Sequence, residues 1–355
     1  MYKYEYLKDF VKEIFLKIGC SLEDAELVSD VLLEAELRGI NSHGVIRIKD
    51  YVRLWEVGRI NSKPNIKVKY QTPGTAVIDA DKSIGMVSAH KAMNLAIEKA
   101  KTCGTGWVSV RNSNHFGIAG YYSMMALEHD MIGISMTNAN PSVAPTFSIE
   151  RLLGTNPISV SIPAGKQPPF VADFATTPIP RGKLVVMHKK GEKAPLGFVQ
   201  DKTGKPSDNP NIIADGGAIV PLGGDRVHGS HKGYCLEAVV DIFSSLLSGA
   251  NYGPWVPPIA SYLPLKEKTV GEGTGHFFGA MRINAFQPAI EFKEKMDDWI
   301  NTFRNAKTAE GHEKVLIPGD PERELKEQKL KNGIELLPAV IQDLKTLSNK
   351  FGLNF

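Results

Sequence analysis

Residues 38–51 read RGINSHGVIRIKDY, and they divide the N-terminal part of the chain into two helices. A glycine such as Gly39 commonly ends a helix and Ser42 is a preferred N-cap, so the pattern predicts a new helix from about His43 to Val57. Since successive residues turn by about 100°, one face of that helix would carry a polar stripe formed by His43, Arg47 and Tyr51. The apolar residues lie on a different face: Val45, Ile48, Val52 and Trp55.

Two interpretations of this polar stripe are open on spacing alone. A helix N-terminus attracts anions, an arginine one turn along can bind a carboxylate, and a histidine can transfer a proton. The helix dipole would also disfavour the protonated form of His43. The same residues could instead form an ordinary solvated face with a routine N-cap. The rest of the chain has to decide between the two.

The segments around this stretch predict an α+β protein, with helices at both termini and alternating strands and helices between them. Ser21 and Asp24 form a capping box that should open the second helix. In chain order, the predicted segments are helices over 4–18 and 21–37, alternating strands and helices over 65–137, exposed loops and hairpins over 178–226, an apolar buried helix over 233–249, irregular chain over 249–264, a strand over 275–286, and helices from 287 onward.

Three further clusters could contribute to a binding site. His115 lies in VRNSNHFGIAGYY, between a predicted strand and a predicted helix, where α/β proteins often place ligands. Asn-Pro or Asn-X-Pro turns follow strands in SMTNANPSVAP and LLGTNPISVSIP. Asp173 at a strand end and Lys232-Gly233 before a helix are typical of anion-binding corners. Each cluster is weak by itself, because loop histidines and Asn-Pro turns are common.

Two other patterns do not support the functions that they first indicate. GEGTGHFFG at residues 271–279 does not match the glycine pattern of a Rossmann domain, and it precedes a strand. His228 and His231 could bind a metal, but neither an HExxH motif nor a cysteine partner accompanies them. We therefore expect no metal. A metal-dependent hydrolase that uses these two residues with His115 stays an alternative, as does a binding protein without catalytic activity.

Composition and charge restrict the classes of partner. The 42 Lys and Arg residues nearly balance the 39 Asp and Glu residues, and no basic block interleaved with aromatic residues occurs, so we do not expect a nucleic-acid partner. No apolar run reaches the roughly 18 residues of a membrane-spanning helix, and the N-terminus lacks the apolar core of a signal peptide. Cys20, Cys103 and Cys235 form no CxxC pair, which is typical of reduced thiols. The expectation is a soluble, cytoplasmic protein.

Together these motifs resemble the type 2 malate/L-lactate dehydrogenase family over nearly the whole chain. The resemblance extends from RGINSHGVIRIKDY through NHFGIAGYY, LLGTNPISVSIP, DFATTPIPRGK and HKGYCLEAVVDIFSSLLSGA to IPGDPERE, in the family's order. It implies a non-Rossmann NAD(P)-binding fold with a mostly antiparallel central sheet. It also implies a helical, dimerising domain over 1–70 and 287–355, a small α/β domain over 71–120, a cofactor-binding domain over 121–286, and a homodimer.

The resemblance also implies the residues of the site. The substrate-site positions would be Ser42, His43, Arg47, Tyr51 and His115. The cofactor would contact His115, Asn138, Asn140, Pro141, Thr155, Asp173, Phe174, Ala175, Thr176, Lys232, Gly233 and Arg323. Two departures, Thr-Phe-Ser at 146–148 and Pro180, fall where relatives carry a Gly-Gly turn and a small residue.

In this context the polar stripe is interpreted as a substrate site. His43 would be the base that accepts the hydroxyl proton, His115 would polarise the carbonyl oxygen, and Arg47 would bind the substrate carboxylate through two hydrogen bonds. The implied reaction interconverts a small 2-hydroxy acid and its 2-oxo acid, with malate and oxaloacetate first. The family's lactate, ureidoglycolate, sulfolactate and cyclic-imine reactions are the alternatives. The expected cofactor is NAD, with NADP as the alternative.

Overall fold

The computed structural model describes the backbone of residues 1–355 and every side chain except that of Lys189. Its helices are α1 (Tyr4–Lys17), α2 (Leu22–Leu37), α3 (Ile48–Glu56), α4 (Gly85–Cys103), α5 (Ala119–Met125), α6 (Arg181–Lys190), α7 (Ser230–Asp241), α8 (Ala289–Arg304), α9 (Asp320–Asn332) and α10 (Pro338–Phe351). Its strands are β1 (Lys67–Gln71), β2 (Thr75–Asp79), β3 (Thr105–Ser113), β4 (Met131–Thr137), β5 (Ile158–Ile162), β6 (Phe170–Phe174), β7 (Val199–Gln200), β8 (Pro206–Ser207), β9 (Ala218–Ile219) and β10 (Thr274–Arg282).

A seven-stranded sheet with the order β1-β2-β3-β10-β4-β5-β6 forms the centre of the molecule. Neighbouring strands are antiparallel except β2 and β3, which are parallel and are joined through α4. Strand β10 is central, and its residues from Thr274 to Ala280 are buried. The mostly antiparallel sheet confirms the expected fold class, since a Rossmann domain is built on a parallel sheet.

A helical layer built from both ends of the chain packs beside this sheet. Apolar side chains of α1, α2, α3 and α10 meet in one core, together with residues at the start of α4. Ser21 caps α2, because its hydroxyl accepts a hydrogen bond from the Asp24 amide at 3.1 Å. The predicted union of the two termini and the predicted cap are therefore both confirmed.

The segment between α2 and α3 differs from the helix start that the sequence predicts. Residues Asn41–His43 and Val45–Arg47 form two 3₁₀ turns separated by Gly44, and α3 begins only at Ile48. Ser42 is not an N-cap, since its hydroxyl is bonded to the ring of His43. The Val45 amide in this segment donates to the Glu36 carboxyl group of α2, a contact that local helical spacing does not indicate.

Two further predictions are wrong in part. Helix α7 was expected to be a buried apolar helix, but its apolar residues Leu236 and Val239 are exposed while Glu237 and Asp241 are buried. Composition shows how apolar a helix is but not which face meets the core. The predicted loops over 178–226 also contain α6 and a small sheet of β7, β8 and β9. Among the described residues, no helix has the length and apolar character needed to span a bilayer.

Candidate active site

Two histidines from distant parts of the chain lie face to face at the junction of the helical layer and the sheet. His43 comes from the first 3₁₀ turn after α2, and His115 comes from the loop between β3 and α5. Their ring centroids are 5.3 Å apart and the ring planes differ by 22°. The structure thus brings together the two residues that the sequence offers as proton-transfer groups.

The hydrogen bonds of His115 define its neutral tautomer. Its Nδ1 atom lies 2.7 Å from the Tyr51 hydroxyl and accepts a longer bond, 3.3 Å, from the Gly117 amide. A backbone amide can only donate, so Nδ1 is the acceptor and the ring proton is on Nε2. Burial, and then the charges of His43, Arg47 and His276, hold the pKa of His115 well below its usual value. His115 is therefore a neutral ring that offers an N–H donor.

His43 is also neutral near pH 7. Burial, followed by the positive charge of Arg47, lowers the pKa of His43 to about 4. This cause differs from the helix dipole expected from the sequence, because His43 is not in a helical first turn. Its Nδ1 atom is 2.8 Å from the Ser42 hydroxyl. If Nδ1 carries the proton and donates to that hydroxyl, Nε2 has a free lone pair, as a base requires.

Arg47 is anchored beside this pair with part of its guanidinium available. Its Nε donates to the Ser42 carbonyl at 2.7 Å, and Nη1 lies 3.2 Å from the Asp50 carboxylate. The side chain is 26% exposed. The remaining N–H groups can bind an anion, and a guanidinium can hold both oxygens of a carboxylate at once.

Tyr51 reaches the site from the core rather than from the polar face that helical spacing indicates. The side chain is fully buried and packs against Phe15, with ring centroids 6.3 Å apart. Burial raises the pKa of the Tyr51 hydroxyl, so it remains a protonated donor to His115. Tyr51 thus supports His115 and is not placed to be a direct substrate ligand, which modifies the role that the resemblance implies.

A third histidine of the site, fully buried and not indicated by the sequence, supports the His115 loop. His276 of β10 stacks on Phe116 at 4.8 Å and 12°, and its ring nitrogens lie 2.7 Å from Thr137 Oγ1 and 2.8 Å from Ser113 Oγ. His276 lies in the glycine-rich segment that was set aside as a false fingerprint. The continuous apolar run that follows it, FFGAM, could have predicted a buried strand but not the partners of His276.

An open cavity of about 480 Å³ is lined by residues that flank the His43 and His115 segments in sequence, although neither histidine is among its lining residues. It is bounded by Ile40, two residues before Ser42, and by Gly120, five residues after His115. The Gly120 amide donates to the Asp173 carboxylate at 2.8 Å, and burial raises the pKa of Asp173 to about 6. The other lining residues are mostly apolar: Met124, Val171, Ala172, Phe174, Leu316, Ile317, Pro318, Gly319 and Pro321, with Arg38 and Glu322 as the further charged ones. The cavity has the size and mixed lining of a small-molecule site.

The remaining residues proposed for the cofactor divide into exposed and internal groups. At least partly exposed are Asn140, Pro141, Thr155, Phe174, Ala175, Lys232 and Arg323. Asn138 is internal, since its amide group bonds Asp241 and the Asn251 carbonyl while its oxygen accepts from the Gly275 amide. Thr176 is buried and bonds the backbone of residues 155 and 156. These two side chains therefore shape the walls of a site and have little capacity left for a ligand.

Gly233 and Arg323 also make contacts within the protein. A Cβ atom at Gly233 would lie 2.2 Å from the Leu222 carbonyl oxygen, so only glycine allows this close approach of α7. The Arg323 guanidinium donates to the Pro169 carbonyl and to Asp320. It thereby fixes the turn before α9, which lines the cavity, and the cofactor contact that the resemblance implies for Arg323 stays a prediction.

The geometry gives the metal-dependent alternative no support. Across the part of the chain whose side chains are described, no group of three or more His, Cys, Asp or Glu residues is arranged to hold a metal ion. His228 is bonded to Asp225, and His231 lies against Arg226, whose positive charge would disfavour a cation.

Comparison with known proteins identifies the family of the chain. The family model described as malate/L-lactate dehydrogenase matches residues 2–345. A malate dehydrogenase of Pyrococcus abyssi is 43% identical over 98% of this chain and 94% of its own length. An L-sulfolactate dehydrogenase of Methanocaldococcus jannaschii is 40% identical over 99% and 97%. The solved structure of malate dehydrogenase from Pyrococcus horikoshii superimposes with a TM-score of 0.90 at 40% identity, covering 99% of this chain and 96% of that one. The chain therefore belongs to the malate/L-lactate dehydrogenase family.

Proposed function

We propose that this chain is a nicotinamide-dependent oxidoreductase that interconverts a small 2-hydroxy acid and its 2-oxo acid, with malate and oxaloacetate as the leading pair. The observation that carries the proposal is the pair of neutral histidines, His43 and His115, beside the partly free guanidinium of Arg47. Oxidation of a hydroxy acid needs a proton acceptor, a donor to the developing carbonyl oxygen, and a cation for the carboxylate. These three residues supply one of each.

The roles follow from the hydrogen bonds. Arg47 would hold the substrate carboxylate, with the adjacent hydroxyl at the Nε2 edges of the two stacked rings. His43 Nε2 accepts the hydroxyl proton, and the Nε2–H of His115 donates to the same oxygen as it becomes a carbonyl. A bound nicotinamide supplies the hydride acceptor for the hydrogen on the hydroxyl-bearing carbon. In the reverse direction His43 returns the proton to the 2-oxo oxygen.

The cavity lined by Asp173 and Phe174 fits one nucleotide portion of such a cofactor. Apolar residues such as Ile40 and Phe174 can contact a flat ring, while carboxylates can accept hydrogen bonds from ribose hydroxyls. Asp173 and Glu322 both line the cavity, and its cation, Arg38, is already paired with Glu34 at 2.6 Å. A 2′-phosphate placed here would meet two carboxylates, which is unfavourable for like charges. We therefore favour NAD over NADP.

The test is a substrate panel assayed with both cofactors at the nicotinamide absorbance. The panel contains oxaloacetate, pyruvate, a 2-oxo acid with a distal sulfonate, the oxidised form of ureidoglycolate, and a cyclic imine carboxylate. We expect oxaloacetate with NADH to give the highest kcat/KM. A chain that consumed neither NADH nor NADPH with any of these compounds would refute the proposed activity. A preference for the sulfonate would identify the alternative that the Methanocaldococcus jannaschii relative represents.

A homodimer is part of the same proposal, but the reason differs from the one that the sequence offers. The apolar stripes of α1, α2 and α10 are already buried within their own chain. Along α7 and the π-helical turn that follows it, a continuous set of apolar side chains is instead exposed, and we call this set the α7 face. These residues are Tyr234, Leu236, Val239, Ile242, Phe243, Leu246 and Leu247. Contiguous apolar surface of this kind is typical of an interface between subunits.

The dimer is tested by placing a charge on the α7 face. Val239→Glu should shift the sedimentation coefficient from dimer to monomer at micromolar concentration, because a dimer would bury the new carboxylate. Val227→Glu is the matched control, since Val227 is equally apolar but stands alone in a loop at 91% exposure. A wild-type chain that sediments as a monomer with full activity would contradict the dimer. A cytoplasmic location is also proposed, supported by the three unpaired thiols of Cys20, Cys103 and Cys235.

A further inference from the structure

The last turn of α2 carries a buried carboxyl group that packs against residues 41–47, the catalytic segment that contains His43 and Arg47. Glu36 is only 2% exposed, and its Oε1 atom accepts a 2.9 Å hydrogen bond from the Val45 amide. Its Oε2 atom is buried without a partner among the described side chains and backbone. Burial raises the pKa of Glu36 to about 7, although the Val45 amide and Lys329 favour the ionised form. Oε1 can accept the Val45 bond in either protonation state.

Gly44 allows this carboxyl group to touch the backbone between His43 and Val45. A Cβ atom built on Gly44 would lie 2.1 Å from Glu36 Oε1 and 2.6 Å from Cδ. Real Cβ atoms do not approach other atoms so closely. Glu36 is therefore bonded to the residue after Gly44 and packed against Gly44 itself, so its side chain fixes two consecutive backbone units.

The other end of the segment is held from α9. Lys329 donates to the Glu36 carbonyl at 2.6 Å and approaches the Asn41 side-chain oxygen at 3.4 Å. Arg47 closes the segment on itself through its bond to the Ser42 carbonyl. Residues 41–47 are not an α-helix, so they lack the internal ladder of hydrogen bonds that would otherwise fix them. Their position depends on these side-chain contacts.

The geometry points to Glu36 as a positioning residue, which places His43 and Arg47 by holding the backbone of Gly44 and Val45. The expected effect of Glu36 on catalysis rests on the proposed function. Its expected effect on the position of residues 41–47 rests on the geometry of that segment alone. A displacement of about 1 Å at a reacting group can cost on the order of 100-fold in rate. Glu36 touches neither reacting atoms nor cofactor in this arrangement, so its effect acts through the segment.

Two substitutions separate the effect of the hydrogen bond from Val45 from the effect of the volume of the Glu36 side chain. Glu36→Leu keeps the approximate volume but leaves the buried Val45 amide without an acceptor, whereas Glu36→Gln keeps a carbonyl oxygen. We expect Glu36→Leu to lower kcat/KM for the 2-oxo acid about 100-fold, with kcat reduced and KM raised because His43 and Arg47 both move, and Glu36→Gln to stay within about fivefold of wild type. NADH affinity, measured by fluorescence, should change less than twofold in both variants.

Ser29→Ala is the matched control for buried polar groups on α2. Its hydroxyl donates to the Lys8 carbonyl at 2.8 Å and is remote in sequence from the catalytic segment. It should lower the melting temperature without changing KM. If Glu36→Leu behaves in the same way, with reduced stability and wild-type KM, then Glu36 is merely structural and the inference is wrong.

Two further measurements do not require the proposed activity. In hydrogen–deuterium exchange, the peptide covering residues 41–47 should exchange faster in Glu36→Leu than in wild type, while the α1 peptides remain unchanged. Equal protection in the two proteins would overturn the inference even if no 2-oxo acid were turned over. Conversely, absence of wild-type turnover with altered exchange would refute the proposed function and leave Glu36 as the anchor of the segment.

Gly44→Ala supplies an independent test of the contact. Its methyl group should displace the segment in wild type and accelerate exchange there, but Glu36→Ala removes the atoms that it meets. The double variant should therefore show a smaller change in exchange than the two single variants predict together. Independent, additive effects would show that Glu36 and Gly44 do not act through a shared contact.

Discussion

The hydroxyl group of Tyr51 helps the Gly117 amide to hold the proton of His115 on Nε2, and its removal tests the proposed chemistry most directly. Tyr51→Phe keeps the buried ring against Phe15 but deletes the 2.7 Å bond to Nδ1. Only the 3.3 Å bond from Gly117 then favours the Nε2–H tautomer. Loss of a buried hydrogen bond with one partner left in place costs about 1–2 kcal/mol. Expressed in the transition state, this corresponds to a decrease in kcat of roughly 5- to 30-fold.

The assay is hydroxy-acid oxidation under saturating NAD, followed at the nicotinamide absorbance. Tyr121→Phe is the matched control, because Tyr121 is a half-buried tyrosine near the site whose hydroxyl bonds none of the described side chains or backbone groups. It should leave kcat unchanged. A Tyr51→Phe enzyme with kcat within twofold of wild type would show that the tautomer of His115 does not limit the reaction.

Three other substitutions test the remaining roles. His43→Gln should lower kcat by about two to four orders of magnitude. Wild-type kcat/KM for oxidation should be constant near neutral pH and fall as His43 becomes protonated near its pKa of about 4. If His115→Gln abolished turnover while His43→Gln did not, the roles of the two histidines would be reversed. Arg47→Lys should raise KM for the 2-oxo acid by about 2–3 kcal/mol, or roughly 30- to 150-fold, with unchanged NADH affinity, because lysine cannot hold both carboxylate oxygens; a normal KM would remove Arg47 from the substrate site. Burial raises the pKa of Glu237 to about 9, so this carboxyl group ionises at a lower pH in the unfolded chain than in the folded one. The folded wild-type protein therefore loses stability as the pH rises from about 5 to 9. Glu237→Gln should remove up to about 6 kcal/mol of this pH dependence in urea unfolding, and a difference from wild type that is constant with pH would contradict the assignment.

The parts of the fold that local chemistry determines were predictable from the sequence. The Ser21 cap needs only residues three positions apart, and the termini show their helices through a repeated apolar stripe. The sequence pattern does not predict the 3₁₀ turns after α2. Glu36 lies nine positions before the Val45 amide that it binds, a separation that helical spacing does not connect. The orientation of α7 was missed for a related reason, since a mainly apolar helix does not reveal that Glu237 and Asp241 face inward.

The residues of the candidate site also divide into those that local sequence predicts and those that depend on distant parts of the chain. His43 and Arg47 could be proposed from their spacing and residue types, and His115 from its position after a strand. The partnership of His115 with Tyr51 and the stacking of His276 on Phe116 join residues 64 and 160 positions apart, so no local pattern indicates them. Asn138 illustrates the opposite error. It matches a family motif, but all of its side-chain hydrogen bonds are used inside the protein.

The central place of β10 has a consequence for how the chain acquires its structure during synthesis. Strands β3 and β4 are complete by residue 137, yet the strand that joins them is made only after residue 273. Until then each has one unpaired edge in the middle of the future sheet, and α1 and α2 also wait for the C-terminal helix. Contacts between such distant parts of a chain form slowly and expose partly folded intermediates to aggregation. Truncation before residue 274 should therefore leave an open, association-prone sheet, and chaperone dependence should be concentrated in the period before the last quarter of the chain is translated.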